Sequence, residues 1–188
     1  MASTRGEPTV KGTHVIVASQ YVDEHLGGGT FRSLTEAGGQ RWAVLLPSSW
    51  YELPILHAAL MNVSSRTRRS IHDVSTEIAA RNAKTDLTGV YRFVMKALAP
   101  YRVLGQLPHL WRFYVRFGEC APLSNDKGHY VAEGRGMLDE YAEWATGCWR
   151  GFISTAVEMA GGKDVRVQIS KVWKEDDGSR FRFEIFYA

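Results

Sequence analysis

Leu138-Asp139-Glu140-Tyr141-Ala142-Glu143-Trp144-Ala145-Thr146-Gly147-Cys148-Trp149-Arg150-Gly151-Phe152-Ile153-Ser154-Thr155-Ala156-Val157-Glu158-Met159-Ala160 is the stretch that decides the architecture. Asp139 and Glu140 sit in what would be a first turn, where the helix dipole favours negative charge. Gly161-Gly162 follows as a stop. The spacing predicts a helix over 138–160, on the order of 35 Å long at about 1.5 Å per residue. Its apolar face carries Tyr141, Ala145, Cys148, Phe152, Ala156 and Met159, widened by Trp144 and Trp149. Gly147 and Gly151 lie four apart on one side. Each costs about 1 kcal/mol against Ala in a helix interior, so their presence predicts a close neighbour there. Backbone packing is the favoured reason, a bound ligand the other.

Working outward, the helix is flanked by two hairpins. Gly118 to Gly136 is punctuated by glycine and lacks helical period, with a turn expected within Asn125 to Gly128 and a second strand around Tyr130-Val131. After the helix, Val165, Val167 and Ile169 alternate with Arg166, Gln168 and Ser170. Phe181, Phe183, Ile185 and Tyr187 alternate with Arg180, Arg182, Glu184 and Phe186, and Asp177-Gly178 between the two runs is a turn signal. One face of this hairpin is apolar and should pack on helices.

The N-terminal half reads as helices. Residues 1–9 look like a disordered lead-in, and 10–188 a single α+β domain. Helices are expected over Val15 to Leu26 and Thr30 to Ala37, each stopped by glycines. Ser49-Trp50-Tyr51-Glu52 has the spacing of a capping box opening a helix to about Val63, and Ser70 to Asp73 repeats it. Further helices are expected over Thr88 to Leu98 and on the stripe Leu107, Leu110, Trp111 and Tyr114.

Composition narrows the function classes. The chain has 188 residues, a net charge of +3 and aromatics at 12%. That charge is too weak for the field of a nucleic-acid binder. The cluster Arg66, Arg68 and Arg69 is expected to be a solvated loop. No apolar run reaches the roughly 18 residues of a membrane span, so an integral membrane protein is not expected. No signal peptide is visible and cysteine usage is sparse, which suggests the cytoplasm. Two cysteines, Cys120 and Cys148, cannot alone make a structural zinc site.

No catalytic constellation is visible, so no catalytic or metal-ligating residue is assigned and an enzymatic role is disfavoured. The six histidines are scattered, without ligand spacing. Gly27-Gly28-Gly29-Thr30 lacks the strand and lysine of a phosphate loop. Cys148 reads as a small hydrophobe on an apolar face, while Cys120 is expected to be more exposed. His109, beside Leu110-Trp111, could ligate a haem iron but is more often an ordinary side chain. Aromatic clustering is what remains: Trp111, Phe113, Tyr114 and Phe117 before the first hairpin, Trp144, Trp149 and Phe152 on the long helix. These faces either close into a solid core or line an apolar pocket.

The order of short pieces also carries a resemblance. Leu46-Pro47-Ser48-Ser49-Trp50-Tyr51, Thr88-Gly89-Val90-Tyr91-Arg92, Leu107-Pro108-His109-Leu110-Trp111-Arg112 and Ala160-Gly161-Gly162-Lys163-Asp164-Val165 follow one another across residues 10–187. In that order the chain resembles a small bacterial family within the superfamily of 4-vinyl reductase-type domains, TRAPP trafficking subunits and haem-nitric-oxide-binding-like domains. The resemblance implies a TRAPP-like ligand-binding fold: N-terminal helices, a β-hairpin, a long central helix and a C-terminal antiparallel β-hairpin. It implies an apolar small molecule, acyl chain or tetrapyrrole as ligand, and often a homo- or hetero-dimeric partner. The 4-vinyl reductase-type domain carries cysteines on either side of its last turn. Here those places read Lys171-Val172-Trp173 and Ser179-Arg180-Phe181, so no role tied to such a pair carries over.

The leading expectation is a non-enzymatic signalling sensor or adaptor, binding a lipid-like molecule against Trp111, Tyr114, Trp144, Cys148 and Phe152. The alternatives are an interaction module with a filled core, displaying Trp42, Trp50, Trp173 and Phe186, and a tetrapyrrole-binding or tetrapyrrole-modifying protein.

Overall fold

The computed structural model describes residues 7–88, 99–175 and 178–188. In chain order they form β1 (Thr9–Lys11), α1 (Gly12–Leu26), α2 (Thr30–Ala37), β2 (Trp50–Glu52), α3 (Leu53–Thr67) and α4 (Ile71–Thr88). Then follow α5 (Pro100–Leu104), α6 (Leu107–Tyr114), β3 (Glu119–Asp126), β4 (His129–Met137), a 3-10 turn (Asp139–Tyr141), α7 (Ala142–Met159), β5 (Arg166–Glu175) and β6 (Gly178–Phe186). The expected helix over Thr88 to Leu98 falls largely outside the described residues, as do residues 1–6 and Asp177.

The two hairpins join into one antiparallel sheet of order β3-β4-β6-β5. Tyr130 faces Ile185, Ala132 faces Phe183 and Gly134 faces Phe181 across the central pair. Period-two alternation therefore puts Tyr130, Ala132, Phe181, Phe183 and Ile185 on one face, all fully buried. The opposite face carries charge. Glu133 accepts hydrogen bonds from Arg182 Nη2 at 2.6 Å and Arg135 Nη2 at 3.0 Å. Those cations, Arg182 first, hold its carboxyl below the usual carboxylate range.

Helix α7 lies between the inner face of this sheet and α4. Trp149 meets Phe183 at 4.3 Å between ring centroids. On the α4 side the two glycines are explained: a Cβ at Gly147 would run into the His72 carbonyl oxygen, and one at Gly151 into that of Thr76. Backbone packing is the physical reason for the notch. The helix is shorter than the spacing over 138–160 implies, because Asp139–Tyr141 winds as a 3-10 turn. It is also buried on two sides rather than along one stripe: Thr146, Gly151, Ile153, Thr155 and Val157 join the core.

The N-terminal half departs from expectation at one motif. Ser49 does not cap a helix. Trp50–Glu52 pair with Thr9–Lys11 as a two-stranded ribbon, and the helix begins only at Leu53. Strand pairing and Pro54 in the first helical turn override the local capping signal. Thr9, placed in the lead-in by its composition, is thus part of a strand. Helix α1 begins at Gly12, ahead of the expected Val15. At Ser70 the box is real: its Oγ accepts the Asp73 backbone N–H at 3.0 Å and donates to Asp73 Oδ2 at 2.8 Å.

Arg69 corrects the expectation of a solvated basic loop. It donates to Tyr21 OH and, at 2.9 Å, to Glu77 Oε2. Arg81 closes the same carboxylate from the other side at 2.9 Å. This network ties α1 to α4. Cys120 is buried rather than exposed, and burial pushes its thiol up to about 12.

Candidate functional site: an aromatic chamber between four helices

Helices α1, α4, α6 and α7, with Val10 and Val115, line a partly open chamber of about 60 Å³. All five residues expected at a ligand site, Trp111, Tyr114, Trp144, Cys148 and Phe152, lie in its wall. The sequence reading missed His14 from α1, Ala79 and Asn82 from α4, Leu110 from α6 and Ile153 from α7. Trp149 also lines it. Nothing local marks His14 or Asn82, because each is a single polar residue among helix formers. Only the packing of α1 and α4 onto α7 brings them in.

The aromatic side is held by specific contacts. Trp111 Nε1 donates to the Phe117 carbonyl at 2.9 Å, which fixes the ring. That ring stacks on Trp149, centroids 4.9 Å apart and planes 20° from parallel. Tyr114 packs on Phe152 at 5.2 Å and donates its hydroxyl to Asp86. Burial raises the Asp86 carboxyl from its ordinary range. Phe113 turns away from the chamber and is exposed.

The polar side is small. Buried His14 points Nε2 at Cys148 Sγ, 4.0 Å away, and its ring meets Trp144 edge-on at 5.8 Å. Burial lowers the His14 pKa to about 4 and raises that of the Cys148 thiol. Near neutrality the wall therefore presents a neutral imidazole beside a protonated thiol. Asn82 Oδ1, Trp144 Nε1 and Trp149 Nε1 are buried without a hydrogen-bond partner among the described residues. Each such group costs about 1–3 kcal/mol unless something satisfies it.

The other aromatics named for an interaction surface are half-buried. Trp42 packs on Tyr51 at 5.0 Å, Phe186 stacks on His129 at 4.6 Å, and Trp50 lies beneath Arg116 at 4.0 Å. Trp173 lies between Lys171 and Arg180, at 4.7 and 5.5 Å. His109 is exposed on α6 and is not in the chamber wall. Among the described residues no three His, Cys, Asp or Glu side chains converge as a metal site, and no helix is long and apolar enough to cross a membrane.

No family model matches this chain, and no curated protein matches it. Solved structures do, and those that follow are H-NOX domains. A Cs H-NOX variant with 4-cyano-phenylalanine at its site 5 superposes with a TM-score of 0.72 over 94% of this chain and 96% of its own, at 13% identity. An oxygen-binding H-NOX domain related to soluble guanylate cyclases gives 0.69 over 94% of each chain, at 14% identity. The Fe(II) unliganded H-NOX protein from K. algicida gives 0.69 over 95% of this chain and 96% of its own, at 14%. The fold of this chain is therefore the H-NOX fold: α+β, with seven helices and two antiparallel sheets among the described residues.

Proposed function

We propose that this chain is a non-enzymatic, ligand-binding sensor domain that takes a compact, mostly apolar molecule in the chamber between α1, α4, α6 and α7. One observation carries the reading. Asn82, Trp144 and Trp149, all residues of a largely apolar wall, each hold a buried polar atom with no hydrogen-bond partner among the described residues. A ligand with one or two hydrogen-bonding atoms, seated against these residues, would meet part of that unmet demand and leave the rest of its surface to the aromatic rings. The wall's thiol–imidazole pair, Cys148 and His14, is not an activated nucleophile, because burial keeps the thiol protonated and the imidazole neutral. Native mass spectrometry after gentle purification tests this. The expected result is a ligand adduct, or displacement of a solvatochromic dye by small apolar compounds. A uniform ligand-free mass with no dye binding would end the proposal.

Size limits the occupant. Pockets for cofactor-sized molecules are about 300–1,000 Å³, well above the 60 Å³ present. A tetrapyrrole does not fit that volume while Trp111 and Trp149 are stacked in the wall, and among the described residues no Lys or Arg lines it to meet a carboxylate. A long acyl chain does not fit either.

The second reading remains the tetrapyrrole, which fold likeness favours over a lipid-like occupant: one similar structure concerns haem distortion in the H-NOX family. That reading requires the indole stack to part. Adding haem tests it: a sharp visible band that moves in His14→Ala supports it, and a protein that stays colourless after desalting excludes it. The interaction-module reading loses its anchors, because the aromatics it needs are largely covered. Cytoplasmic location, a single domain over 10–188 and kinship with 4-vinyl reductase-type or TRAPP-like domains stay part of this proposal.

A further inference from the structure

The His14–Cys148 pair is not explained by small-molecule binding alone. These two side chains come from helices at opposite ends of the chain, and each faces the other across one corner of the chamber. His14 is 6% exposed, and Cys148 Sγ is the only polar partner recorded for its ring among the described residues. The separation of Nε2 and Sγ is 4.0 Å. A direct hydrogen bond at that length is weak. The same separation leaves room for an atom seated between the two donors.

The geometry can be checked against metal bonds. With about 2.3 Å to sulfur and about 2.0 Å to nitrogen, two donors stand about 3.5 Å apart at a tetrahedral angle and about 4.3 Å apart in line. The observed separation lies between those limits, on the open side of tetrahedral. Open angles belong to low-coordinate ions. Zinc, which requires four donors, is not served, since no third His, Cys, Asp or Glu converges here among the described residues. Thiolate sulfur selects copper(I), and imidazole suits copper. The surroundings agree: a monovalent cation on a thiolate is a neutral unit, and an apolar chamber tolerates a neutral unit far better than a net charge.

We propose that His14 Nε2 and Cys148 Sγ hold one copper(I) ion in a two- to three-coordinate site, with its open side toward the chamber. Binding forms one Cu–S and one Cu–N bond and displaces the thiol proton to solvent. The copper stays monovalent, so no oxidant or reductant is needed. Gly147 and Gly151 contribute indirectly, because only their lack of Cβ lets α7 approach α4 closely and fix Cys148 at the wall. The edge-on Trp144 ring holds the imidazole. The inference rests on the chamber being a ligand site, and it adds what one corner of that site binds.

The test uses the full chain, reduced and anaerobic, titrated with copper(I) in competition with a chromophoric chelator. One equivalent should be retained, with sulfur and nitrogen in the first shell by X-ray absorption. Cys120→Ser should retain it unchanged. Cys148→Ser and His14→Ala should each lose more than the roughly 10–100-fold that removal of a merely supporting residue costs. The wild-type absorption spectrum decides the matter even if a variant folds poorly. Retention by Cys148→Ser, or a shell without nitrogen, overturns the proposal. If wild type holds no copper while dye or ligand still enters the chamber, the copper site fails and the sensor reading stands.

Discussion

His14 carries no charge near neutrality, because burial takes its pKa from 6.5 to about 4. In the unfolded chain the ring regains its ordinary value. Between those two pH values the unfolded state therefore takes up a proton that the folded state refuses, and stability falls as the pH falls. At about 1.4 kcal/mol per unit the full shift is worth about 3 kcal/mol, all of it present above pH 6.5 and lost by pH 4. Half-buried His57 is lowered by burial too and adds in the same direction. In chelator-treated protein, urea unfolding at pH 7 and pH 4.5 should show a larger loss for wild type than for His14→Leu. Equal losses would mean that the ring is solvated. Residues of this kind are hard to read beforehand. Trp111, Tyr114, Trp144, Cys148 and Phe152 advertise themselves as aromatic or apolar stripes on helices. His14 lies 134 positions from Cys148, and nothing in its own neighbourhood points to that partner.

The helices are held by two kinds of signal, and they differ in how far the sequence reveals them. The box at Ser70 is local, so it reads directly. Ser70→Ala should destabilise α4 by about 1 kcal/mol, measured as a shift in urea midpoint with unchanged m-value. The same spacing at Ser49 misleads, because β1 lies far off in sequence and claims Trp50–Glu52 as a strand. The glycine notch of α7 is legible as a demand for closeness, but its partner is not. Gly151→Ala places a methyl group against the Thr76 carbonyl, where backbone must give way. A loss of about 1–3 kcal/mol is expected, against the small gain that Ala brings to an exposed helix site. A stabilised variant would show that α4 and α7 are less closely packed than described.

Across the whole molecule, the order of helices, hairpin, helix and hairpin was readable, because alternation and period are written into each segment. The β4–β6 pairing that fuses the hairpins was not, because register between distant strands depends on the shared core of Tyr130, Phe181, Phe183 and Ile185. The volume of the chamber was also beyond reach: the same aromatic residues serve an open pocket or a filled one, and their packing, including the Trp111–Trp149 stack, decides. Trp149→Ala should enlarge the chamber and admit larger apolar dyes, read as a gain in dye affinity together with a loss of about 3–5 kcal/mol in stability. Unchanged dye binding in that folded variant would show that the stack does not control access.

The chamber draws its walls from α1, near the start of the chain, and from α7, near its end. It therefore has no existence in any partly folded fragment that lacks either helix. An occupant stabilises only the state in which both are docked, by RT ln(1 + [L]/Kd). Amide protons that exchange through global opening should slow together when the chamber is filled, while those at frayed ends keep their rates. Occupancy is thereby converted into the lifetime of the entire fold, a signal that any protein sensing its rigidity can read without touching the ligand.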